Sequence, residues 1–408
     1  MKILRIIARL NVGGPARHVV WLTKELQDAE FQSALIAGRV PDGEGDMGYL
    51  AEQNSVKPLF IDEMSRELSI RDAISLVKIY RQMLLEKPDI VHTHTAKAGT
   101  VGRIAAFIYR WLTWKTLIGK PRKVSVVHTF HGHVFHSYYG RFKTSFFIAI
   151  EKVLASFATN KIIVISPQQL KEIHAEVGIG ESEQFAVIPL GIDLGAYRVS
   201  PQKCEDIRRE FGAFENDIVV GFVGRLTEVK NVLLYLQVAE LYIKKNDAEL
   251  PKSRFIIVGD GHLRESLESE AVERGIGDDV IFLGNRTDVE AIYSGLDIVA
   301  LTSLNEGTPL SLIEAMASRR AVISTLVGGV VDLLGETKET HDGFSVHERG
   351  IGVTDNSPQS FLNGLIYLAK NEKLRESIIE RADEFVGATY GKDRLVDDIR
   401  RLYRNLIK

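Results

Sequence analysis

Residues 297–317 have the sequence DIVALTSLNEGTPLSLIEAMA, and this stretch decides the fold. Its first five residues, Asp297–Leu301, form a short apolar run that predicts a buried strand. Pro309 suits the first turn of a helix, and Leu310 and Ile313 fall on one helical face. A strand that leads directly into an amphipathic helix is the repeating unit of an α/β protein.

Two carboxylates flank the start of this helix. Glu306 lies in the loop before it and Glu314 lies inside it, beside the free backbone N–H groups from Gly307 through Ser311. Such N–H groups and the helix dipole bind phosphate, and each carboxylate can accept two hydrogen bonds from a sugar diol. The arrangement therefore fits a phosphorylated sugar. Taken alone, however, the two acids are more simply explained as charges that complement the helix dipole.

Length and composition limit the class of protein. The 408 residues exceed one ordinary core, so we expect two domains. The chain is 45% hydrophobic and 26% charged, as in soluble globular proteins, and its net charge of -3 gives no indication of nucleic-acid binding. The single cysteine, Cys204, excludes an intrachain disulfide and fits a reducing cytosol. Arg5 interrupts the N-terminal apolar run, which predicts a first strand rather than a signal peptide.

Strand-like and helical patterns alternate along the whole chain, which predicts two doubly wound, mostly parallel sheets with helices on both faces. The first alternation runs from Ile3–Ala8 to Phe185–Ile188, and a linker at Pro189–Asp193 follows it. The alternation restarts at Ile218–Phe222. We therefore expect one domain at residues 1–190 and a second that begins at residue 191, with a deep cleft between them where strand ends bind ligands.

Glycine turns follow several predicted strands. Gly13 and Gly14 follow the first strand, where paired glycines let the backbone approach a phosphate or substrate. They do not form the G-x-G-x-x-G dinucleotide motif, and a simple tight turn is the alternative. Further turns contain Gly261 and Arg286, and backbone groups near Arg286 can hold the edge of a base. Asp288 suits an N-cap.

Arg225 and Lys230 follow the strand Ile218–Phe222, five positions apart across a glycine turn. Both cations can converge on one anion, and a leaving diphosphate requires cations because negative charge develops on it as the bond breaks. The alternative is a pair of surface cations on a loop.

Six of the eleven histidines lie close together in the first half: His92, His94, His128, His131, His133 and His136. His131 leaves a strand at a glycine and can donate to a sugar hydroxyl or phosphate oxygen. His92 and His128 suit hydrogen-bonded structural roles. The spacings match no familiar zinc pattern and the group contains no Asp, Glu or Cys, so we expect no metal.

These motifs, in this order, resemble the retaining nucleotide-sugar glycosyltransferases of family 4 (group 1), which have the GT-B fold. The resemblance covers essentially the whole chain and rests on Gly13-Gly14, Thr129–Gly132, Gly224-Arg225 with Lys230, Gly259–Gly261, and Glu306 with Glu314. It implies that residues 1–190 bind the acceptor, with a C-terminal helix at about 390–408 packed back on them. It also implies that residues 191–389 bind the nucleotide-sugar donor.

The resemblance implies a role for each matched residue. Glu314 would bind the nucleotide ribose, Glu306 the donor sugar, and Gly14 the phosphate or acceptor side. Arg225 and Lys230 would neutralise the diphosphate, and His131 would lie near the transferred sugar. The expected catalytic residues are His131, Glu306, Arg225 and Lys230. The expected donor-binding residues are Gly13, Gly14, Arg225, Lys230, Gly261, Arg286, Glu306, Gly307, Thr308, Leu310, Ser311 and Glu314.

The implied reaction is transfer of a sugar, from a UDP-sugar as the family-level expectation, to a glycan or polyprenyl-linked acceptor in cell-envelope polysaccharide or lipopolysaccharide synthesis. The resemblance implies no bound metal and no other cofactor. The sequence departs from the family pattern at three places. Pro15–Arg17 change the loop expected on the acceptor side, and Asn231 changes the start of a helix. Thr308-Pro309 lie in the Glu306–Glu314 segment and can alter which sugar is chosen. Alternatives are a GT-B epimerase or an inverting transferase, a non-enzymatic nucleotide-sugar sensor, and a dehydrogenase. The dehydrogenase would need the dinucleotide motif, which is missing here.

The segment Arg103–Lys123 interleaves basic residues with aromatic residues, which suits a peripheral contact with a membrane surface. A solvated basic face over a core helix is the alternative. No apolar run reaches membrane-spanning length. We therefore expect a cytoplasmic protein that can contact the inner face of the membrane.

Overall fold

A computed structural model describes residues 1–11, 13–40, 46–64, 71–132, 141–245, 247 and 249–407. The chain divides into two compact units. The first contains Met1–Gly191 together with Asp393–Lys408, and the second contains Ile192–Lys392.

Within the described ranges, the first unit has a seven-stranded, wholly parallel sheet with the order β3-β2-β1-β4-β5-β6-β7. Its strands are β1 (Lys2–Ile7), β2 (Gln32–Gly38), β3 (Leu59–Ile61), β4 (Ile90–His94), β5 (Ser125–Thr129), β6 (Lys161–Val164) and β7 (Phe185–Val187). Its helices before the linker are α1 (Gly14–Glu25), α2 (Gly48–Gln53), α3 (Arg71–Glu86), α4 (Ala96–Trp111), α5 (Arg141–Ala158) and α6 (Pro167–Leu170). A π-helical turn at Lys171–Glu176 continues α6, and 3-10 turns occur at Trp114–Ile118 and Ser182–Gln184.

The second unit has, in its described part, an eight-stranded sheet with the order β10-β9-β8-β11-β12-β15-β14-β13. Its strands are β8 (Ile218–Val223), β9 (Ser253–Val258), β10 (Val280–Gly284), β11 (Ile298–Leu301), β12 (Ala321–Thr325), β13 (Thr337–Thr340), β14 (Phe344–His347) and β15 (Gly350–Val353). Only β14 runs antiparallel to its neighbours, β13 and β15.

The helices of the second unit are α7 (Pro201–Glu210), α8 (Val232–Lys244), α9 (Arg264–Glu273), α10 (Val289–Gly295), α11 (Leu310–Ala317), α12 (Val330–Leu334), α13 (Pro358–Lys370) and α14 (Glu372–Thr389). Further 3-10 turns lie at Leu194–Tyr197 and Glu228–Lys230. The last helix, α15 (Lys392–Ile407), belongs to the first unit.

The first sheet is covered on both faces because β1 is apolar on both faces. Ile3 shares an apolar cluster with Tyr403 of α15, whereas Leu4 shares another with Ile79 of α3 and Ala105 of α4. Alternating side chains of a strand point to opposite faces, so neighbouring residues enter different clusters. Each fully buried side chain of this size contributes about 1.5–3 kcal/mol. The C-terminal helix therefore completes the core of the first unit.

The predicted α/β alternation is confirmed. The differences are shifted element ends and three short elements that were not predicted, α2, α12 and β13. Helix α1 begins at Gly14 rather than Arg17, because Pro15 has the fixed φ of a first helical turn. Strand β11 begins at Ile298, because the Asp297 carboxylate accepts hydrogen bonds from Arg208 and from the Val219 backbone N–H, both at 2.8 Å. Strand β13 was missed because its side chains are all exposed and polar, without an alternating pattern.

Candidate active site

The second sheet changes winding direction between β8 and β11, which are direct neighbours. Doubly wound sheets bind ligands at such a switch point, beyond the carboxyl ends of the strands. The two following loops are joined there. Leu304 N–H donates to the Val229 carbonyl at 2.8 Å, and the Thr302 hydroxyl donates to the Lys230 carbonyl at 3.1 Å. The candidate donor residues follow these two strands.

Lys230 and Glu306 form an ion pair between these two loops. The buried Ser303 hydroxyl also donates to Glu306 Oε1, at 2.5 Å. Asn231, next to Lys230, has a left-handed φ of 48°, a conformation that asparagine tolerates better than most residues. A cation and a carboxylate are thus held together at the switch point, facing the start of α11.

Arg225 is the second cation that the sequence predicts for this site. Its side chain is exposed and makes no hydrogen bond or ion pair with any residue that the structure describes. The turn that carries it is fixed by the Leu226 N–H, which donates to the Asp260 carbonyl at 2.9 Å. An unpaired guanidinium on a fixed turn can bind an incoming diphosphate with several parallel hydrogen bonds.

The glycines of these turns are required by close backbone contacts. A Cβ on Gly259, whose φ is +131°, would lie 1.9 Å from the Gly224 carbonyl oxygen. A Cβ on Gly261 would lie 2.3 Å from the Leu226 carbonyl oxygen. The turns after β8 and β9 can therefore touch only because both positions lack a side chain.

Glu314 lies in the second turn of α11 and is 7% exposed. The Tyr293 hydroxyl donates to its Oε2 at 3.0 Å. This bond fixes the orientation of the carboxylate near the start of α11. Pro309 is the N-cap residue, with an extended ψ of 114°, so the prediction that it forms the first helical turn is wrong by one residue.

The backbone N–H groups at the start of α11 are available to a ligand. Within the described ranges, nothing accepts a hydrogen bond from the N–H of Gly307, Thr308, Leu310 or Ser311. The buried Thr308 hydroxyl also has no partner there. Four free N–H groups at a helix N-terminus form a site for an anion or for polar sugar oxygens.

Arg286 does not present a free guanidinium. Its Nε and Nη2 donate to the two Asp288 carboxylate oxygens, both at 2.8 Å, and Glu210 pairs with its other side. These hydrogen bonds raise the pKa of Arg286. Asp288 occupies the N-cap position of α10 but makes no capping hydrogen bond, because its carboxylate binds Arg286 instead. The backbone N–H groups of Asn285 and Arg286 at this turn donate to no described residue.

The first sheet has its switch point between β1 and β4. Gly13 is the N-cap of α1 and Gly14 its first residue, directly after β1. His94 ends β4, opposite Ile7 of β1 and Thr129 of β5. The first turn of α1 contains no acidic residue, so this helix N-terminus is open to an anion.

His131 follows β5 and lies beside His94. Nε2 of His131 and Nδ1 of His94 are 2.9 Å apart, a hydrogen-bonding distance. The Gln169 side-chain amide donates to the Gly132 carbonyl at 3.1 Å and so fixes the turn after His131. Burial lowers the pKa of His131 to about 3. The His131 ring is therefore neutral at physiological pH.

His92 and His128 have the hydrogen-bonded character expected of structural histidines. His92 lies between the Tyr403 hydroxyl at 2.6 Å and the Thr129 hydroxyl at 2.7 Å, and His128 Nδ1 contacts the Thr93 hydroxyl at 2.9 Å. The predicted residues His133 and His136 lie outside the described residues.

Sequence reasoning did not single out His18, which belongs to the same site. It lies in α1, is 4% exposed, and its ring centre is 4.9 Å from that of His131 and 5.7 Å from that of His94. One nitrogen from each of these three rings lies within 4.8 Å of the others, so the three could hold a metal ion. No sequence pattern indicated this, because only the strand order brings α1 to the end of β4.

The predicted membrane-contact segment, Arg103–Lys123, is only partly at the surface. Arg103 is buried and donates to both Glu151 oxygens, at 2.7 and 2.6 Å, and Tyr109 is also buried. The prediction that these two residues contribute to the surface is wrong, because both lie on the core-facing side of α4. Ala105 and Ala106 of the segment are buried as well. Its large exposed side chains are Phe107, Trp111, Leu112, Trp114, Leu117 and Ile118, and Leu117 is 89% exposed.

Comparisons with known proteins match both units. The family model described as Glycosyl transferases group 1 matches residues 204–385, and the model described as Glycosyltransferase Family 4 matches residues 12–196. A UDP-Gal:alpha-D-GlcNAc-diphosphoundecaprenol alpha-1,3-galactosyltransferase of Escherichia coli is 30% identical over 356 residues, which cover 87% of this chain and 85% of that protein. The chain belongs to the group 1, family 4 glycosyltransferases.

Two solved structures have the same fold as this glycosyltransferase. Anabaena HepE in complex with UDP has a TM-score of 0.79 and 21% identity, covering 99% of this chain and 100% of that chain. HepE with UDP-glucose has a TM-score of 0.77, also at 21% identity and the same coverage. The enzyme therefore has the GT-B fold, with two Rossmann-like units. None of the described helices is both long and apolar enough to span a membrane.

Proposed function

We propose that this enzyme transfers a sugar from a UDP-sugar to a lipid-linked glycan, with retention of the anomeric configuration, in cell-envelope polysaccharide synthesis. The observation that carries the proposal is the Lys230–Glu306 ion pair, held at the switch point next to the four free N–H groups of α11. The names of the related proteins support the substrate classes. The Escherichia coli relative acts on a diphosphoundecaprenol-linked sugar, and the HepE structures contain UDP or UDP-glucose.

Each donor group matches one part of the pocket. Glu314, fixed by Tyr293, binds the ribose diol, and the backbone near Arg286 binds the base. The diphosphate binds Arg225 and Lys230. Glu306 gives up part of its ion pair with Lys230 and binds the sugar hydroxyls. The backbone N–H groups that follow Glu306 also bind these hydroxyls.

The reaction needs positive charge where the diphosphate leaves. Arg225 and Lys230 supply it, so we propose that the transfer does not require a metal ion. The bond between the anomeric carbon and the diphosphate oxygen breaks, and the acceptor oxygen attacks that carbon from the same face. The leaving diphosphate oxygen takes the acceptor proton. A neutral His131 donates a hydrogen bond to a hydroxyl of the transferred sugar, in the role that the family resemblance implies.

We also propose that residues 111–123 dock on an anionic membrane surface where the lipid-linked acceptor lies. The stretch 96–123 contains no acidic residue, and residues 111–123 expose Trp111, Leu112, Trp114, Leu117 and Ile118 beside Lys115, Lys120 and Lys123. Aromatic and aliphatic side chains enter the interfacial region of a bilayer, while the lysines contact anionic headgroups.

The test combines donor screening with product analysis. Thermal shift against a panel of nucleotide sugars identifies the donor, because a ligand that binds only the folded state raises the melting temperature. The selected donor is then incubated with a short polyprenyl-diphosphate-linked sugar, and the anomeric configuration of the product is read by NMR. We expect an α-linked product from an α-linked donor. A product with inverted anomeric configuration would refute the retaining reaction. A preference for a donor without uridine would refute a UDP-sugar as the donor. Trapping of a covalent glycosyl-enzyme would refute attack of the acceptor from the same face.

A further inference from the structure

We propose that His18, His94 and His131 bind one divalent transition-metal ion, of the kind that prefers imidazole ligands, such as Zn²⁺ or Co²⁺. The site lies at the switch point of the first sheet, where α1, the end of β4 and the turn after β5 meet. The three histidines belong to the first unit, whereas Arg225, Lys230, Glu306 and Glu314 belong to the second.

The geometry is close to that of a three-histidine site. One nitrogen from each ring lies within 4.8 Å of the other two, and the His94 and His131 nitrogens are 2.9 Å apart. Three nitrogens at about 2.1 Å from a tetrahedral zinc ion lie roughly 3.4 Å from one another. No spacing among the three nitrogens exceeds 4.8 Å, so the rings are close enough for rotations about their side-chain bonds to bring them to one ion.

The cluster also leaves buried ring nitrogens without partners. In the described part of the chain, neither nitrogen of His18 has a hydrogen-bond partner, and the same is true of Nε2 of His94 and Nδ1 of His131. Buried polar groups in native proteins are normally satisfied by protein, water or an ion. Neighbouring His92 uses both nitrogens, although Arg5 Nε and His128 Nε2 in the same core also lack partners among the described residues. His18 is the one ring of the three whose nitrogens are both unpartnered in the described part of the chain, and a metal ion would satisfy one of them.

The surroundings of the cluster determine what else a metal site would need. His18 and His94 are buried, so bulk water does not surround the three ring nitrogens evenly. Arg5, a buried cation, acts electrostatically on His18 and His94. Its positive charge opposes a bare cation, so an anionic fourth ligand, such as hydroxide, would complete the site.

A metal at this site would regulate the enzyme, and this consequence rests on the proposed function of His131. Coordination occupies a nitrogen of the His131 ring and fixes its orientation. The ring can then no longer adjust to donate to the sugar. We therefore expect zinc to inhibit the transfer reversibly, although the transfer chemistry itself uses Arg225 and Lys230.

The first experiment measures binding without any transferase assay. The full-length protein is stripped with a chelator and titrated with Co²⁺, whose visible absorption reports tetrahedral coordination. We expect one equivalent to bind, Zn²⁺ to displace it, and both His18→Ala and His18→Gln to weaken binding at least about tenfold, in line with the loss of a metal ligand. His262→Ala is the matched control, since His262 is an exposed histidine paired with Glu228 in the second unit. Absence of the Co²⁺ band in the wild type, or equal losses in the control and the His18 variants, would overturn the proposal.

Two further measurements keep the outcomes distinct. X-ray absorption of the zinc-loaded wild type counts the imidazole ligands without any variant, and fewer than three would overturn the site. Transferase activity is then measured with and without Zn²⁺. Binding without inhibition would leave the metal site in place and refute only its effect on His131. An absence of activity under all conditions would refute the proposed function and not the site.

Discussion

Lys230 and Glu306 form an ion pair although they lie 76 positions apart in the sequence, because β8 and β11 are neighbours at the switch point of the second sheet. Lys230 ends the turn after β8, and Glu306 lies in the loop before α11. Without a donor, each neutralises the other. Under the proposed function, the diphosphate of an arriving nucleotide sugar competes for the lysine, and the sugar hydroxyls compete for the carboxylate. The ion pair would then keep both groups in position before the substrate arrives.

Replacement of Lys230 should affect catalysis more than folding. We expect Lys230→Met to lower kcat/KM by about 10²–10³-fold, because it removes a cation from the leaving diphosphate. Lys244→Met is the control, since Lys244 forms an exposed pair with Glu240 and should behave as wild type. The double variant Lys230→Met/Glu306→Gln should lose less than the sum of the single losses, because the residues act together. If the double variant lost the full sum of the two single losses, the result would contradict a shared role of Lys230 and Glu306.

Tyr293→Phe should weaken nucleotide binding through Glu314. Removing a hydrogen bond to a charged group costs about 1.5–3 kcal/mol, so UDP affinity measured by calorimetry should fall by roughly tenfold or more. Tyr235→Phe is the matched control, because Tyr235 is also buried and its hydroxyl donates to the Val220 carbonyl at 2.8 Å. That control should lose stability and keep its UDP affinity. Equal losses of affinity in both variants would assign the effect to the fold and not to Glu314.

Gly259→Ala should disrupt the glycine turn at the donor site. Its Cβ would overlap the Gly224 carbonyl oxygen, and its positive φ is unfavourable for alanine. We expect a loss of several kcal/mol in the free energy of unfolding, in the range of strained backbone changes, with a matching loss of UDP binding. Gly387→Ala in α14 is the control, since its Cβ meets nothing within 4 Å and alanine favours helices. It should be neutral or stabilising by about 0.5–1 kcal/mol in a denaturant titration. If Gly259→Ala kept the stability and UDP binding of the wild type, the turns after β8 and β9 would be shown to move apart and make room for the methyl group.

The first unit should lose stability in mild acid. Burial lowers the pKa of five of its histidines, in the case of His131 to about 3; the other four are His18, His92, His94 and His128. The unfolded chain takes up these protons near pH 6.5 and the folded chain does not. Stability is therefore complete above about pH 6.5 and is lost as the pH falls towards the folded pKa values, by up to about 1.4 kcal/mol per histidine per pH unit.

Tryptophan fluorescence measures this effect selectively, because Trp21, Trp111 and Trp114 all lie in the first unit. The fluorescence melting temperature should fall between about pH 7.5 and pH 5.5. A fluorescence transition that stays constant over that range would contradict neutral, buried histidines.

Membrane docking should depend on the apolar residues after α4. We expect Trp114→Ser/Leu117→Ser to reduce flotation with anionic liposomes, and higher salt to weaken binding of the wild type. The matched control is Phe214→Ser/Val272→Ser, which removes two similarly exposed apolar residues from the second unit. Equal binding by both double variants, or no binding of the wild type at moderate salt, would refute the docking surface.

The sequence by itself determined the α/β class, the positions of nearly all strands, and the family. Local signals suffice there, because buried strands are apolar runs and glycine turns fall where strands end. Arg225, Lys230 and Glu306 could be named for the same reason, since each lies just beyond a strand, and Glu314 lies in the helix that follows Glu306. Local patterns could not show that Lys230 and Glu306 are ion-paired, or that Arg286 is already held by Glu210 and Asp288.

Only the tertiary structure decided which distant residues meet. Strand order places α1 beside the ends of β4 and β5, so His18 joins His94 and His131, and no sequence spacing encodes that neighbourhood. The packing of α4 buries Arg103 against Glu151, although the sequence presents it as one of several similar surface cations. In both cases the reason is physical. Periodicity specifies which face of an element is buried, whereas the chemistry of a site depends on which elements share that face.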